Sequence, residues 1–385
     1  MSRVPGTTHC GGPLHGLRVV EMTGLGPAPL AGQLLADLGG DVIVVDRAAG
    51  PSDPTDINRR GKRSIALDLK HADGLDVARR LIGRADVLIE GFRPGVMERL
   101  GLGPDACFEA NAGLVYARMT GWGQSGPWAA RAGHDINYLG LSGALHAMGD
   151  PDSPPVPPLN LAADYGGGTL FLLFGVLSAL WERARSGRGQ VVDAAMVDGV
   201  PAMMGLIHQL LARGEWTEQR GANLLDGGAP FYRCYRTADD AYVSVGPLEP
   251  PFFAEMLARL GLDDRWQSRQ YDRAHWPALE AALAETFASR PRSHWEAVFA
   301  DGDACVAPVL TFSEAAAHPH NRERSVWHEV DGVPQAAAAP RFSRTPAPPP
   351  TAPGAAGGDA EAVLAELGLS SEARRALANN GAVLR

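Results

Sequence analysis

Short apolar runs that alternate with helical segments constrain this chain more than any other feature of its sequence. The runs are rich in valine, isoleucine and leucine, and turn residues border them. Segments of about 10–15 residues with helical periodicity separate the runs. Strands that are joined by helices pair in parallel and bury both of their faces, so they are apolar along their whole length. We predict that four runs form one parallel sheet: Leu17–Met22, Asp41–Asp46, Asp86–Glu90 and Leu114–Met119.

The pattern continues and then changes in the second half of the chain. A long helix is predicted from Asp164 to about Arg185, and a strand at Gln190–Met196. Beyond a glycine-rich stretch at 221–230, one short strand and several helices follow each other. We therefore predict an α/β fold with a large domain over 1–200, a linker over 201–224 and a smaller α+β domain over 225–320. Residues 332–358 are rich in alanine and proline and are predicted to be extended, with a helix over Asp359–Ala378 behind them.

Composition and charge exclude several classes of protein. The chain has 385 residues, 45% of them hydrophobic, as is typical of a globular protein. Its N-terminus has no secretory pattern, and it does not end in a peroxisomal tripeptide. The four cysteines are far apart, which argues against a disulfide framework or a zinc ribbon. A net charge of −9 argues against a nucleic-acid-binding protein. We expect a cytoplasmic enzyme that binds neither nucleic acid nor membrane.

One glycine-rich motif follows the first predicted strand. Gly24-Leu25-Gly26 resembles the beginning of the dinucleotide fingerprint G-x-G-x-x-G, but Pro29 stands where the third glycine belongs. Asp46, at the end of the second strand, is the only other support for a dinucleotide. We therefore do not expect NAD or FAD.

Cations gather near the ends of the predicted strands. Arg47 follows the second strand, and Arg59, Arg60, Lys62 and Arg63 lie within five residues. Because arginine binds phosphate through two parallel hydrogen bonds, such a group in an acidic chain indicates a polyphosphate ligand. A solvated loop is the alternative for any single member. Three more cations stand at strand ends: Lys70, Arg93 and Arg99.

Three residues are candidate acids and bases. His134 lies in a polar, glycine-preceded loop with no amphipathic pattern that would bury it. Asp164 precedes Gly166–Gly168 and an apolar helix, so it is either a helix N-cap or a reactive carboxyl group. Three glycines are costly in a first helical turn, and we expect them where a ligand approaches the backbone or where amides stabilise an oxyanion. Glu249 stands between prolines at the start of a helix.

Long motifs in this chain resemble the family III CoA-transferase superfamily and, within it, the racemases of 2-methylacyl-CoA thioesters. The resemblance covers nearly all of residues 12–345. The motifs are LRVVEM at Leu17, GGDVIVVDR at Gly39, DVLIEGFRPGVMERLGLG at Asp86, ARMTGWGQSGPWAARAGHDINYLGLSG at Ala117, PPLNLAADYGGGTLFLLFGVLSALWERARSGRGQVVDAAMVDG at Pro157, RGANLLDGGAPFY at Arg220 and SVGPLEPPFF at Ser244.

The resemblance implies a Rossmann-like large domain that binds coenzyme A, the thioester part of the substrate, with no prosthetic group and no metal. It implies an interlocked homodimer in which residues 321–385 return to the large domain. The implied CoA-binding residues are Arg47, Leu67, Leu69, Lys70, Gly91, Phe92, Arg93 and Arg99, with Gly133, Asp135, Asn137 and Tyr138 lining the thioester.

The same resemblance implies two possible mechanisms. In racemases, Asp164 and His134 would be acid and base on opposite faces of the α-carbon, with Glu249 paired to the histidine. In transferases, Asp164 would be the nucleophile, and CoA would move between carboxylic acids through a mixed anhydride with this aspartate. His134 and Glu249 favour the racemase. A non-catalytic acyl-CoA-binding protein on the same fold is a third possibility.

Overall fold

The first compact unit is built on a six-stranded parallel sheet. The computed structural model describes residues 11–384. The strand order is β3-β2-β1-β4-β5-β6, and all neighbours pair in parallel. This α/β sheet and its predicted strands are confirmed, with a further strand after the second. The bounds are β1 Arg18–Met22, β2 Asp41–Asp46, β3 Arg63–Ala66, β4 Val87–Glu90, β5 Val115–Thr120 and β6 Gln190–Ala195.

The direction of winding reverses between β1 and β4. The chain moves outward from β1 to β2 and β3, and then returns to β4 on the other side of β1. In open α/β sheets a crevice forms at such a reversal, beyond the carboxyl ends of the strands. The helices of this part of the chain are α1 Pro27–Asp37, α2 Ala72–Ile82, α3 Val96–Arg99, α4 Pro104–Ala110 and α5 Asp135–Ser142, with a 3-10 turn at Ile57–Arg59.

A long helix crosses the sheet behind β5 and β6. It is π-helical over Leu161–Leu170 (the π segment) and α-helical over Phe171–Ser186 (α6). The helix therefore begins three residues before Asp164, and Asn160 holds the N-cap position, which excludes the N-cap alternative for Asp164. Leu161–Ser186 is long and apolar enough to span a membrane, and a third of its most apolar window is buried. Helix α7, Met196–Met203, follows β6 and packs against the π segment.

The second compact unit comprises residues 143–158 and 204–322. Its three-stranded antiparallel sheet has the order β7-β8-β9, and Phe231, Phe253 and Phe287 are fully buried in its core. Helix α8 lies within the segment 201–224 that was expected to be a linker. The elements are α8 Gly205–Ala212, β7 Arg233–Arg236, β8 Tyr242–Val245, α9 Pro250–Leu260, α10 Trp276–Ala288, α11 Arg292–Val298, β9 Val306–Val309, α12 Phe312–Ala317 and α13 Pro319–Glu323, with 3-10 turns at Ala144–Ala147, Asp264–Arg269 and Arg273–His275.

The end of the chain belongs to the first unit. Strands β10 (Trp327–Val330) and β11 (Val333–Ala336) form a hairpin, and β11 occupies the start of the stretch over 332–358 that was expected to be extended. The helix expected over Asp359–Ala378 is two helices, α14 Ala360–Glu366 and α15 Ser371–Asn379, because Gly368 between them takes a left-handed conformation with φ of 81°.

The last residues lie along β3, the edge strand of the large sheet. The amide of Leu384 donates to the carbonyl of Ala66 over 3.0 Å, and the amide of Asp68 donates to the carbonyl of Ala382 over 3.1 Å. Leu67, which follows β3, is 1% exposed, and its backbone is bridged to Val383. These bonds occupy backbone groups that an edge strand otherwise leaves unpaired.

Candidate active site

A cleft of about 530 Å³ opens where the winding of the sheet reverses. The loop after β1 and the loop after β4 form two of its walls, as expected for the crevice at this point of the sheet. Seven of the residues expected from the sequence line this one cleft: Gly91, Phe92, Arg93, Gly133, His134, Tyr138 and Asp164.

His134 is held by the start of helix α5, which begins at the next residue. The backbone amide of His134 donates to Oδ1 of Asn137 over 3.0 Å, and its carbonyl accepts from the amide of Asn137 over 2.8 Å. Asn137 therefore fixes the backbone of the histidine, and the imidazole is exposed in the cleft. Asn137 itself does not line the cleft.

Asp164 enters the cleft from the π segment and is partly buried. The left-handed turn at Gly26, with φ of 74°, brings the loop after β1 against it, since a Cβ on Gly26 would lie 3.6 Å from Oδ2 of Asp164. Burial raises the pKa of Asp164 to about 6, with a further rise from the charge of Asp135 and an opposing effect of His134. Near neutral pH this carboxyl group is therefore able both to release and to accept a proton.

The side chain of Asp135 faces the start of the π segment. Its Oδ2 accepts the backbone amides of Ala163 over 2.9 Å and of Asp164 over 2.8 Å. The residue is 7% exposed, and it is not among the residues that line the cleft. The Asp135 side chain thus holds the helix that carries Asp164.

The glycines at 166–168 serve helix packing, which corrects the expectation that a ligand approaches them. A Cβ on Gly167 would lie 2.8 Å from Cγ2 of Val200, and a Cβ on Gly199 would lie 2.0 Å from the carbonyl oxygen of Gly167. The two helices therefore cross backbone to backbone at these glycines. Because the helix begins at Leu161, these glycines also lie beyond its first turn, where free amides would be found.

The dense cation cluster consists of structural ion pairs, which corrects its assignment to a polyphosphate. Its four members each contact a carboxylate within the first unit, and two of the pairs are almost fully buried. A residue pattern cannot distinguish such pairs from a phosphate site, because the partners come from distant positions. The pairs are Arg59–Asp46, Arg60–Asp37, Lys62–Glu21 and Arg63–Asp41.

The isolated cations remain available. Arg93 lines the cleft, and Arg47 lines a second hollow of about 370 Å³ beyond the ends of β1 and β2. Arg47, Lys70, Arg93 and Arg99 are exposed and form no ion pair with a carboxylate within residues 11–384. Lys70 and Arg99 line neither hollow, and Leu69 packs on the core below β3.

Glu249 belongs to the second unit, where it precedes helix α9 and is exposed. Partial burial raises the pKa of Tyr271, and the charge of Glu249 acts in the same direction. The pairing of Glu249 with His134 stays a prediction.

Sequence reasoning missed several residues of the cleft. Leu25 is 95% exposed beside Gly26, in the glycine motif that was set aside with the dinucleotide fingerprint. The position of this motif after the first strand was the signal for it. Arg131 also lines the cleft and stacks on Trp128, with its guanidinium 4.7 Å from the ring centre. Within residues 11–384 no group of three or more His, Cys, Asp or Glu side chains is placed to hold a metal ion.

Comparison with known proteins identifies the family. Residues 14–360 match CoA-transferase family III. The chain belongs to this family. It is 48% identical over 337 residues to the α-methylacyl-CoA racemase of Mus musculus, covering 87% of this chain and 88% of that protein. It is 44% identical over 371 residues to the α-methylacyl-CoA racemase of Homo sapiens, covering 93% and 94%.

The fold agrees with that of a solved family member. The crystal structure of a CAIB/BAIF family protein from Brucella suis superposes with a TM-score of 0.79 at 29% identity, covering 93% of this chain and all of the other. The expected family III fold, a parallel α/β sheet with a small antiparallel sheet, is therefore confirmed.

Proposed function

We propose that this protein interconverts (R)- and (S)-2-methylacyl-CoA thioesters by 1,1-proton transfer through an enolate. The observation that carries the proposal is the meeting of Asp164 and His134 in one cleft. The similarity of nearly the whole chain to two α-methylacyl-CoA racemases supports it. Inversion at the α-carbon needs two groups of this kind, one for each face.

The two groups exchange roles with the direction of reaction. For one enantiomer, the first group removes the α-proton. The C–H electron pair passes into the enolate, and the thioester oxygen carries the negative charge. The other group then returns its own proton to the opposite face. The active form of the pair holds one proton in total, whichever enantiomer is bound. A pKa of about 6 lets Asp164 either hold or release a proton near neutral pH, as the two directions of the reaction require.

The enolate oxygen requires hydrogen-bond donors, because the α-proton of a thioester is far less acidic than either group. The first turn of helix α5 directly follows His134, and its amides at Asp135 and Ile136 donate to no acceptor in the part of the chain that the structure describes. Neither residue lines the cleft, but both directly follow Gly133 and His134, which do, so we assign the stabilisation of the enolate to these two amides at the positive end of the helix dipole.

The cations without ion pairs are assigned to the phosphates of CoA. Arg93 and Arg131 stand at the cleft and Arg47 at the neighbouring hollow. Both hollows adjoin the loop after β1, so one extended ligand is able to contact both. We assign Lys70 and Arg99, at the same carboxyl edge of the sheet, to the outer part of the nucleotide.

We propose a homodimer as the working form. Leu170, Phe174, Leu177 and Trp181 are each 45–71% exposed and share one face of the helix 161–186. An apolar stripe of this length on the surface is typical of a protein interface. In the dimer, Glu249 is assigned to orient the imidazole of His134. We further propose that the dimer is cytoplasmic, since Cys107, Cys234 and Cys305 are free.

Deuterium incorporation from D₂O tests the proposed reaction. The (R) and (S) forms of a 2-methylacyl-CoA are incubated separately, with no other acid present. We expect deuterium at the α-carbon with inversion from both enantiomers. Exchange should fall at least about 100-fold in Asp164→Asn and His134→Gln, with CoA-ester binding retained. Absence of exchange, with CoA transfer once a free carboxylic acid is added, would overturn the proposal and make Asp164 a nucleophile.

A further inference from the structure

One carboxylate connects the two candidate catalytic groups. Asp135 follows His134 directly in the chain and opens helix α5. Its Oδ2 binds the amide of Asp164, over 2.8 Å, and that of Ala163 before it, over 2.9 Å. The residue that bears the imidazole and the residue that bears the carboxyl group are therefore joined through a single side chain.

This link is buried and is held by two donors. Asp135 is 7% exposed, and its second oxygen, Oδ1, is buried without a hydrogen-bond partner in the described part of the chain. A buried carboxylate is costly unless donors stabilise its charge. The two amides are such donors. They belong to the first turn of the π segment, where backbone amides have no acceptor within the helix.

We propose that Asp135 is a positioning residue for the racemase reaction, which holds Asp164 opposite His134 and places a fixed negative charge beside it. The proposal rests on the proposed function for its catalytic consequence. It assigns to the Asp135 side chain a role that differs from contact with the thioester.

The charge beside Asp164 has a defined direction of effect. Asp135 raises the pKa of Asp164, in addition to the larger effect of burial, while His134 lowers it. Tyr138, also on α5, interacts with the same carboxyl group. The charged side chains of the other elements packed on the π segment do not contribute to the pKa of Asp164; they are Asp37, Arg118, Glu182, Arg183, Arg185, Asp193 and Asp198.

Asp135→Asn separates the charge from the bonds. The amide oxygen of asparagine is able to accept the same two backbone amides, whereas the negative charge is lost. The acidic limb of the pH profile of kcat should therefore move to lower pH by roughly half a unit or more, with KM little changed. Asp198→Asn is the matched control, because this exposed carboxylate lies on helix α7, which packs against the same π segment. Its acidic limb should stay in place.

Asp135→Ala and Asp135→Glu test the bonds. Alanine removes both bonds and the charge, so kcat should fall about 100-fold while KM is nearly unchanged. Glutamate keeps the charge but displaces the oxygens by one methylene, so kcat should fall and the acidic limb should not move downward. If Asp135→Asn fails to fold, the glutamate variant alone decides, since wild-type kcat in Asp135→Glu contradicts the proposal.

A direct titration distinguishes failure of this proposal from failure of the proposed function. Protein labelled with ¹³C at the aspartate carboxyl carbons is titrated by NMR, and Asp164→Asn identifies the signal of Asp164. We expect that signal to titrate at lower pH in Asp135→Asn than in wild type. This readout needs no substrate, so it holds even if the wild type shows no α-proton exchange. An unmoved signal, or an unmoved limb together with wild-type kcat in Asp135→Ala, would overturn the role of Asp135.

Discussion

The pKa of Asp164, raised to about 6 by burial and by Asp135, places one of the two proton-transfer groups within the physiological range. His134 was a candidate from its polar loop, and the family resemblance gave His134 and Asp164 their catalytic roles, since the glycines behind Asp164 serve helix packing. The carboxylate that anchors Asp164 was not, because the contact joins residues 135 and 164 through a fold that no local pattern reveals. Sequence therefore indicates the reacting groups better than it indicates what holds them.

Exchange should fall as the pH drops through about 6. Asp164 has a pKa of about 6, so falling pH drives a further proton onto the pair, which then has no base left for the incoming α-proton. Both enantiomers should show the same acidic limb, because both use the singly protonated pair. The measurement is kcat/KM for α-proton exchange between pH 4.5 and about 9. Rates independent of pH between 5 and about 7 would contradict the assignment of Asp164.

The buried pair of Lys62 and Glu21 should be costly to break. Nζ of Lys62 lies 2.6 Å from Oε2 of Glu21, and both side chains are 2% exposed. Lys62→Met leaves the Glu21 carboxylate buried without its partner, so the free energy of unfolding should fall by about 3 kcal/mol. Urea denaturation measures this change.

The exposed pair of Arg80 and Asp76 is the control. Both of its side chains are about half exposed, at 51% and 55%, and they are one helical turn apart. Arg80→Met should change the free energy of unfolding by no more than about 0.5 kcal/mol. The double variant Lys62→Met with Glu21→Gln should recover part of the loss, and equal losses in Lys62→Met and Arg80→Met would show that the buried pair contributes little.

At the scale of elements, strands were predicted well where a run of apolar residues indicates a strand that is buried on both faces. Buried parallel strands are continuously apolar, so β1, β2, β4 and β5 were predicted within a residue or two of their ends. Strand β6 was predicted as closely, although its first four residues are not buried. The long helix was predicted to begin at Asp164 but begins three residues earlier, at Leu161, and it includes Gly166–Gly168 although glycine disfavours a helix locally. Only the tertiary contact with α7 explains them, and that contact is not visible in a local window of sequence.

The crossing of the π segment and α7 leaves no room for a side chain at Gly199. A Cβ there would lie 2.0 Å from the carbonyl oxygen of Gly167, a backbone atom that cannot rotate away. Gly199→Ala should lower the free energy of unfolding by about 3 kcal/mol and should reduce exchange activity by displacing Asp164.

Gly205→Ala provides the matched control. Gly205 begins helix α8, and a Cβ there meets no atom within 4 Å. Alanine should therefore leave stability unchanged or raise it by up to about 1 kcal/mol. Thermal unfolding of both variants makes the comparison, and similar melting temperatures would show that the helices adjust to the added methyl group.

At the scale of the molecule, the apolar stripe on the helix 161–186 is expected to join two copies. Phe174 and Trp181 are each 71% exposed. A charge at Phe174 in a buried interface would lack a partner, so Phe174→Glu should shift the protein towards monomer in sedimentation experiments. Phe312→Glu, at an apolar residue that is 85% exposed in the second unit, should leave the assembly unchanged. Wild-type protein that sediments as a monomer would contradict the dimer.

The limits of the two units could be predicted only in part. The smaller domain was recognised at 225–320 from its change of pattern, but residues 143–158 also belong to the second unit. This excursion is short and has no strand or long helix that would mark it. The return of the final residues to the large unit was predicted from the family resemblance alone. Composition does not indicate it, because the backbone bonds of Leu384 and Ala382 do not depend on the residue type.

Because the final residues of the chain pair with β3, the large sheet is completed only at the end of synthesis. Roughly 300 residues must leave the ribosome after β3 before the segment that shields it emerges, at a translation rate of about 5–20 residues per second. For that interval the nascent sheet has an unprotected side. At that rate the edge at β3 stays open to pairing with another chain for tens of seconds, while the second unit, which is nearly continuous in sequence, is free to fold.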